Sequence, residues 1–344
     1  FYYFFKKKII DRQLFFCLIV CSSTPFLINN YLFYWGFMPD QAKYFGQAHA
    51  LRNFEFDKID KLTTVVPSII YAIFPIPFIE TINSIGFINK CILGLTTIYL
   101  YHKKVINNLF FILINFWPSV LLYSSVSLKD TLILCLLLLF AFYQNKNEHL
   151  KSLIILTFLF SIKFLYSFLL FIILIYKNIY KDKKLNYYKF ISLVLLIICS
   201  LYFSDDLEYI INDLRYGFFS ETYSPNYKFN EIVIDLNFPL QILNELTRFL
   251  FSPYPNIYSF AHLLQVIENL LFYSIIIFLL NKLYLIDKSK FIFWSSSLIF
   301  TLSSLSVLIF SSGTIARYKY TILFYFIFAI YLEIKNYDKK FKIL

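Results

Sequence analysis

The stretch Leu128–Tyr143, LKDTLILCLLLLFAFY, decides the fold, because a short polar start is followed by an almost unbroken apolar run. A second apolar segment, Asn108–Ser125, comes just before it. As helices, two such segments each cross most of the ~30 Å hydrocarbon core of a bilayer. The sequence therefore predicts a helical membrane hairpin that turns at residues 127–130.

The rest of the chain has the same character. Of its 344 residues, 59% are hydrophobic and only 15% are charged. One globular core cannot hide that much apolar side chain from water, so the composition excludes a soluble enzyme, a disulfide scaffold and a disordered protein. We predict an all-α polytopic membrane protein with roughly 8–10 transmembrane or re-entrant helices, folded as a single integral-membrane domain over residues 1–344.

Two apolar segments carry polar residues in their interior and are predicted to be broken helices. Leu62–Tyr101 contains prolines and Lys90, and Ser152–Tyr176 has Lys163 at its middle. A bilayer tolerates such residues only where protein or water satisfies them. Single spans are predicted for Leu14–Gly36, Phe190–Phe203, Phe260–Leu280, Phe291–Ser311 and Tyr320–Ile334.

The net charge of +11 fits cytoplasmic loops that collect lysine and arginine. This bias predicts that both termini are cytoplasmic, with the basic N-terminal end preceding a retained anchor. It places two larger loops, residues 37–61 and 204–258, on the extracytoplasmic face. Acidic residues concentrate in these loops, so any chemistry is expected to face outward.

The first outer loop contains Met38-Pro39-Asp40-Gln41-Ala42-Lys43-Tyr44, and Arg52 follows. Here the chain resembles the GT-C class of membrane glycosyltransferases, which place an aspartate just after the first span and often a tyrosine about a turn later. The resemblance implies that Asp40 is the base that takes a proton from an acceptor hydroxyl, with Tyr44 and Arg52 at the substrate. The structural alternative is that Asp40 caps a surface helix over Gln41–Arg52.

Arginine usage suggests where a phosphate binds. Only five of the 32 basic residues are arginines, and Arg52, Arg215, Arg248 and Arg317 all fall on the predicted outer face. A guanidinium grips phosphate oxygens in two places, as a lipid-linked sugar donor requires. Arg317, in the short turn before the last span, is the best candidate for this role. Ordinary ion pairs, or an anchor at the headgroup level, are the alternatives.

Two further ionisable residues are candidates for substrate binding. Lys129 lies at the hairpin turn, where Ser127 and Asp130 fit a capping box and leave the lysine as a surface anchor or a phosphate ligand. Glu268 lies in an apolar helix beside His262 and Asn269, and such groups usually face a cavity or a partner.

These observations predict a glycosyltransferase of the bacterial cytoplasmic membrane with its active face outward. It would move a sugar from a polyprenyl-phosphate donor to a lipid or glycan acceptor. A surface-polysaccharide polymerase or ligase, and a transporter or flippase of lipid-linked sugar, stay open as alternatives. The sequence has no zinc-ligand spacing and no nucleotide-binding motif, so no cofactor is predicted, although a divalent metal stays an alternative. No nucleic-acid partner is expected.

Overall fold

The computed structural model describes residues 1–28, 32, 38, 40–58, 62–74, 81–126, 128–181, 204–220, 231–234, 237–253, 260–309 and 312–341. Within these ranges the chain forms α-helices and no strand, which confirms the predicted all-α class. The predicted span Phe190–Phe203 lies outside them. The chain divides into two compact units, residues 1–168 with 320–332, and residues 169–319 with 333–344.

The first unit contains most of the shorter apolar helices. Its core is made of side chains such as Leu14, Ile88, Phe111 and Phe324, which are fully buried. A 3-10 turn, Phe56–Lys58, follows the third helix. The helices are α1 Tyr2–Lys6, α2 Arg12–Ile28, α3 Asp40–Arg52, α4 Leu62–Ile73, α5 Ile82–His102, α6 Asn108–Phe116, α7 Pro118–Ser125, α8 Asp130–Asn145, α9 His149–Ile162 and the start of α10 Phe164–Lys181.

The second unit holds the remaining described helices. They are α11 Ser204–Ser220, α12 Phe238–Phe251, α13 Phe260–Ile286, α14 Lys288–Leu308 and α15 Ser312–Phe341. The last helix contributes residues 320–332 to the first unit and both of its ends to the second. The predicted outer loop 204–258 therefore contains two helices, α11 and α12.

Four described helices are long and apolar enough to cross a bilayer, which supports an integral membrane protein. They cover Ile82–His102, His262–Ile286, Lys288–Leu308 and Thr314–Tyr337. The three spans predicted near the end of the chain are therefore present as α13, α14 and α15. The predicted first span begins as the shorter helix α2, and most of residues 29–37 lie outside the described ranges.

The predicted helix breaks are confirmed. Residues 152–176 form two helices, α9 and α10, because Lys163 adopts an extended conformation between them. Residues 62–101 form α4 and α5 rather than one helix. The segment before the hairpin bends by 56° between α6 and α7, where Pro118 cannot donate the backbone bond that a continuous helix needs.

The predicted capping box at the hairpin rests on Ser127, which lies outside the described ranges. Among the described residues, α8 begins at Asp130 with Lys129 as its N-cap. Lys129 makes no side-chain cap bond. Its ammonium group is used elsewhere in the first unit.

Candidate functional site

A polar stripe runs along one face of α3, starting at Asp40. The helix begins at Asp40, as the sequence predicted within one residue, and this carboxylate is exposed. Tyr44 and Gln47 follow at the spacing that returns a side chain to the same face, and both are buried. The stripe therefore leads from an exposed carboxylate into the interior of the first unit.

The buried end of the stripe meets polar side chains from α4 and α5. The Ser68 hydroxyl donates to Gln47 Oε1 over 3.4 Å, and the Tyr71 hydroxyl donates to the Leu128 carbonyl over 3.0 Å. From α5, Asn89 Nδ2 donates to the same Leu128 carbonyl over 2.9 Å. We call Tyr44, Gln47, Ser68, Tyr71 and Asn89 the polar cluster of the first unit.

Two atoms of the polar cluster are buried without a hydrogen-bond partner among the described residues. They are the donor Nε2 of Gln47 and the acceptor Oδ1 of Asn89. Because a buried polar group without a partner is costly, such groups usually bind a water molecule or a ligand. A hydroxyl group can both accept and donate a hydrogen bond, which suits this pair of requirements.

Arg52 binds the end of a neighbouring helix. Its Nε donates to the Ala72 carbonyl over 3.0 Å, and its Nη2 donates to the Phe74 carbonyl over 2.8 Å. Both carbonyls lie at the C-terminal end of α4, where no backbone amide remains to bond them. Arg52 therefore joins the end of α3 to the end of α4, and its contact with a substrate stays a prediction.

Lys129 also binds backbone carbonyls. Its Nζ donates to Thr63 over 3.1 Å and to Ile162 over 3.0 Å, at the start of α4 and the end of α9. The side chain is buried, and its positive charge stabilises the negative end of the α9 dipole. These contacts account for a lysine at this point, and its role as a phosphate ligand stays a prediction.

In the second unit the structure brings Arg215 and Arg248 together. Arg215 on α11 lies 3.8 Å from Glu245 on α12, and Arg248 forms an ion pair with the same carboxylate. Arg215 Nη1 donates to the Val307 carbonyl over 2.7 Å, and Arg248 Nη2 donates to the Ile309 carbonyl over 3.1 Å. Two arginines that are distant in sequence thus meet one carboxylate at the C-terminal end of α14.

Glu268 is buried beside a lysine that sequence reasoning overlooked. Lys319 on α15 is 2% exposed and donates to the carbonyls of Phe249, Leu250 and Ser252 over 3.0–3.2 Å. The carboxylate of Glu268 on α13 acts on this ammonium group electrostatically. Lys319 therefore closes the end of α12, within the electrostatic range of the buried Glu268.

The predicted site residues fall into both units. Asp40, Tyr44, Arg52 and Lys129 belong to the first, and Arg215, Arg248, Glu268 and Arg317 belong to the second. Arg317 is half-buried in the second turn of α15. In each unit these polar groups lie at helix ends or on the polar side of an otherwise apolar helix.

Sequence reasoning missed the interior of the polar cluster. The spacing of Gln47 could have identified it from the sequence, because it lies on the same face of α3 as Asp40 and Tyr44. Asn89 and Lys319 could also have been identified, since polar residues within apolar segments usually have a polar partner. Tyr71 and Ser68 could not, because α4 reads as an ordinary apolar helix and only its packing on α3 and α5 gives these hydroxyls their neighbours.

The described residues contain no group of three or more histidine, cysteine, aspartate or glutamate side chains that could hold a metal ion. Cys17, Cys21, Cys91 and Cys135 are free thiols. Comparisons with known proteins find no family model, no curated protein and no solved structure that matches the chain.

Proposed function

We propose that this chain is an integral-membrane glycosyltransferase that transfers a sugar from a polyprenyl-phosphate-linked donor to a lipid or glycan acceptor. The observation that carries the proposal is the polar stripe of α3. It starts at an exposed carboxylate and ends among buried groups that offer one spare donor and one spare acceptor. A sugar hydroxyl can accept a hydrogen bond from such a donor and donate one to such an acceptor. A carboxylate is a suitable base for activating an acceptor hydroxyl.

In this proposal Asp40 removes the proton from the acceptor hydroxyl as the hydroxyl oxygen attacks the anomeric carbon. The bond from that carbon to the phosphate oxygen breaks, and the polyprenyl phosphate leaves with the bonding electrons. Tyr44 and Gln47, one and two turns further along α3, bind the sugar that extends into the polar cluster. Asn89 accepts a hydrogen bond from one of its hydroxyls. The phosphate of the donor requires a cationic group, for which Lys129 of the same unit is our candidate.

The test is the change of Asp40 to asparagine. Asp40→Asn keeps the shape of the side chain and its capacity to begin a helix, but the amide cannot accept the proton. Loss of a general base typically lowers the rate ~10²–10⁴-fold. The measurement is sugar transfer by the full chain in lipid nanodiscs, with a panel of polyprenyl-phosphate sugars, supported by mass spectrometry of lipid-linked glycans in a deletion strain.

Asp57→Asn is the matched control. Asp57 is an exposed aspartate in the 3-10 turn that follows α3, so it receives the same chemical change in the same part of the chain. Transfer should be normal in this variant. Normal transfer in Asp40→Asn at equal protein levels would remove Asp40 from the mechanism.

A surface-polysaccharide polymerase is the second candidate, and the meeting of Arg215 and Arg248 at Glu245 favours it. Such an enzyme needs a cationic site for the phosphate of a growing lipid-linked chain. Arg248→Lys keeps the charge but loses the two-pronged grip. Shorter glycan products in Arg248→Lys, with unchanged products in Asp40→Asn, would select the polymerase.

A further inference from the structure

Helix α11 has its polar side toward the protein. Glu208, Asn212 and Arg215 recur at helical spacing on one face, and all three bond inward. Glu208 accepts a hydrogen bond from the Ile234 amide over 3.0 Å, while the Asn212 side chain bonds both the amide and the carbonyl of Ile232 over 2.9 Å. Arg215 is 3% exposed and binds the end of α14.

The opposite face of α11 is apolar and exposed. Tyr209, Ile210, Leu214 and Tyr216 are each about half exposed or more, and Asp213 is the one charged residue among them. A helix that borders water normally shows the reverse arrangement, with its apolar stripe toward the core. The exposed surface of α11 is therefore suited to an apolar surrounding.

Helix α12 repeats this pattern. Its inner side packs through Phe249, which is fully buried, and its outer side exposes Leu240, Leu243 and Phe251 by more than half. These three residues recur at spacings of three and eight along the helix and so share one face, which also carries the exposed Asn244 and Thr247. The face has no charged carboxylate, because Glu245 is turned toward Arg248 of the same helix and Arg215 of α11.

Contacts with α13 place the end of α12 at the depth of a membrane span. The Asn269 side chain donates to the Ser252 carbonyl over 2.9 Å, and the Tyr273 hydroxyl donates to the Leu250 carbonyl over 2.7 Å. The candidate span of α13 begins at His262. At 1.5 Å per residue, these two contacts lie about 10 and 16 Å from the first residue of the candidate span and about 26 and 20 Å from its last, so both lie well within its length.

The same depth explains why Lys319 is buried against backbone. The last carbonyls of a helix have no amide partner within the helix, and hydrocarbon provides no water to replace one. Lys319, Asn269 and Tyr273 together bond the carbonyls of Phe249, Leu250 and Ser252. A helix that ended in water would not need three side chains from two other helices to bond its last carbonyls.

We propose that α11 and α12 are embedded in one leaflet of the bilayer, and that their exposed apolar faces contact lipid acyl chains. The partner of this surface is the membrane itself. The exposed leucines and isoleucine of α13, among them Leu263, Ile267 and Leu270, continue the same kind of surface within the second unit. Part of the segment 204–258, which the sequence predicts to be an outer loop in water, is thus a lipid-facing element. This brings Arg215 and Arg248 to the edge of the bilayer.

Site-directed spin labelling tests this surface directly. Single cysteines replace Leu243 and Leu214 in the full chain on a cysteine-free background, reconstituted in phosphatidylcholine–phosphatidylglycerol nanodiscs. The collision rates of the nitroxide with oxygen and with a water-soluble nickel chelate are then compared. Oxygen concentrates in hydrocarbon and the chelate in water, so a lipid-facing label has a high ratio of oxygen to nickel collisions.

Two positions of the same unit calibrate the ratio. Phe278→Cys, on the exposed apolar surface in the middle of α13, gives the value for lipid, and Lys288→Cys, exposed at the start of α14, gives the value for water. Leu243→Cys and Leu214→Cys should match Phe278→Cys. Leu240→Cys repeats the measurement one turn away, so that a local distortion at one position cannot imitate the result.

Two outcomes would overturn the proposal. A ratio at Leu240 and Leu243 equal to that of Lys288→Cys would show that α12 lies in water. Low collision rates with both reagents would show that another protein segment covers the face instead of lipid.

Discussion

In the first unit two helices approach each other closely through small side chains, whereas in the second unit carboxylate side chains interact with cationic ones between helices. In the first, Gly86 of α5 lies against the Ser125 carbonyl, and the Thr24 and Ser125 hydroxyls are hydrogen-bonded over 2.7 Å. In the second, Glu245, Glu268 and Glu333 each act on at least one cation. Both are solutions to helix packing in a membrane, where the hydrophobic effect does not hold helices together.

The two kinds of helix packing predict that the units differ in the mutations they tolerate. Close backbone approach depends on shape, so the first unit should be sensitive to added volume. A buried charge pair depends on its partner, because removing one member leaves an uncompensated charge in a region of low dielectric constant. The second unit should therefore respond most strongly to the loss of a single charge.

The largest effect is expected for Lys319→Met. The change removes a charged donor from three carbonyls at the end of α12, and with it the ammonium group on which the Glu268 charge acts. Loss of a hydrogen bond to a charged group typically costs ~1.5–3 kcal/mol, and three such bonds are lost here. The thermal unfolding midpoint of the detergent-solubilised chain should fall sharply, while Lys288→Met at an exposed position should leave it nearly unchanged.

A double change separates the charge effect from the loss of hydrogen bonds. Lys319→Met combined with Glu268→Gln removes both charges, so it should be more stable than Lys319→Met alone. If the double variant is no more stable than the single one, the pairing of Lys319 with Glu268 is not what stabilises this region.

Gly86→Ala tests the sensitivity of the first unit to added side-chain volume. A Cβ atom at residue 86 would lie 2.1 Å from the Ser125 carbonyl oxygen, which belongs to backbone and cannot rotate away. Overpacking of this kind costs ~1–3 kcal/mol, and the upper end is expected here. Gly46→Ala is the control, because nothing lies within 4 Å of its added Cβ. Equal unfolding midpoints for both variants would contradict the close approach of α5 and α7.

Arg52→Met is expected to lower the free energy of unfolding less than Lys319→Met or Gly86→Ala does. It removes the described bonds to the Ala72 and Phe74 carbonyls, but the side chain is only half-buried, so water can replace part of what is lost. We expect a cost of about 1–2 kcal/mol. Arg52→Lys should recover a portion of it, because one ammonium group can bond one of the two carbonyls. Full stability in Arg52→Met would show that this contact does not hold α3 to α4.

The smallest effect is a dependence on pH at Asp287, between α13 and α14. Burial raises the pKa of this carboxyl, but hydrogen bonds from the Tyr337 hydroxyl and from the backbone amides of Lys290 and Ser289 outweigh it and lower the pKa below 3.8. A lowered pKa in the folded state means that the contribution to stability is present above pH 3.8 and is lost as the pH falls through the folded value. Asp287→Asn should reduce the fall of the unfolding midpoint as the pH is lowered from about 5 to about 2, while leaving its value near neutral pH lower than that of the unchanged chain.

How far the sequence predicts this fold is clearest at its helix breaks. Lys163 predicted a break that the structure confirms, because a charge in mid-span acts locally. The capping-box prediction rests on Ser127, outside the described residues. The neighbouring Lys129 ammonium group bonds carbonyls of α4 and α9, and a local sequence pattern does not predict contacts with such distant segments.

The sequence by itself determined the all-α class, the membrane setting and most helix positions, since hydrophobic length and helix-breaking residues act within one segment. Only the tertiary structure decided what the polar residues do. It placed Arg52, Lys129 and Lys319 on backbone carbonyls, joined Arg215 to Arg248 through Glu245, and turned the polar side of α11 inward. The physical reason is that broken helices leave carbonyls exposed in an apolar interior, and which cation reaches them depends on how distant segments pack.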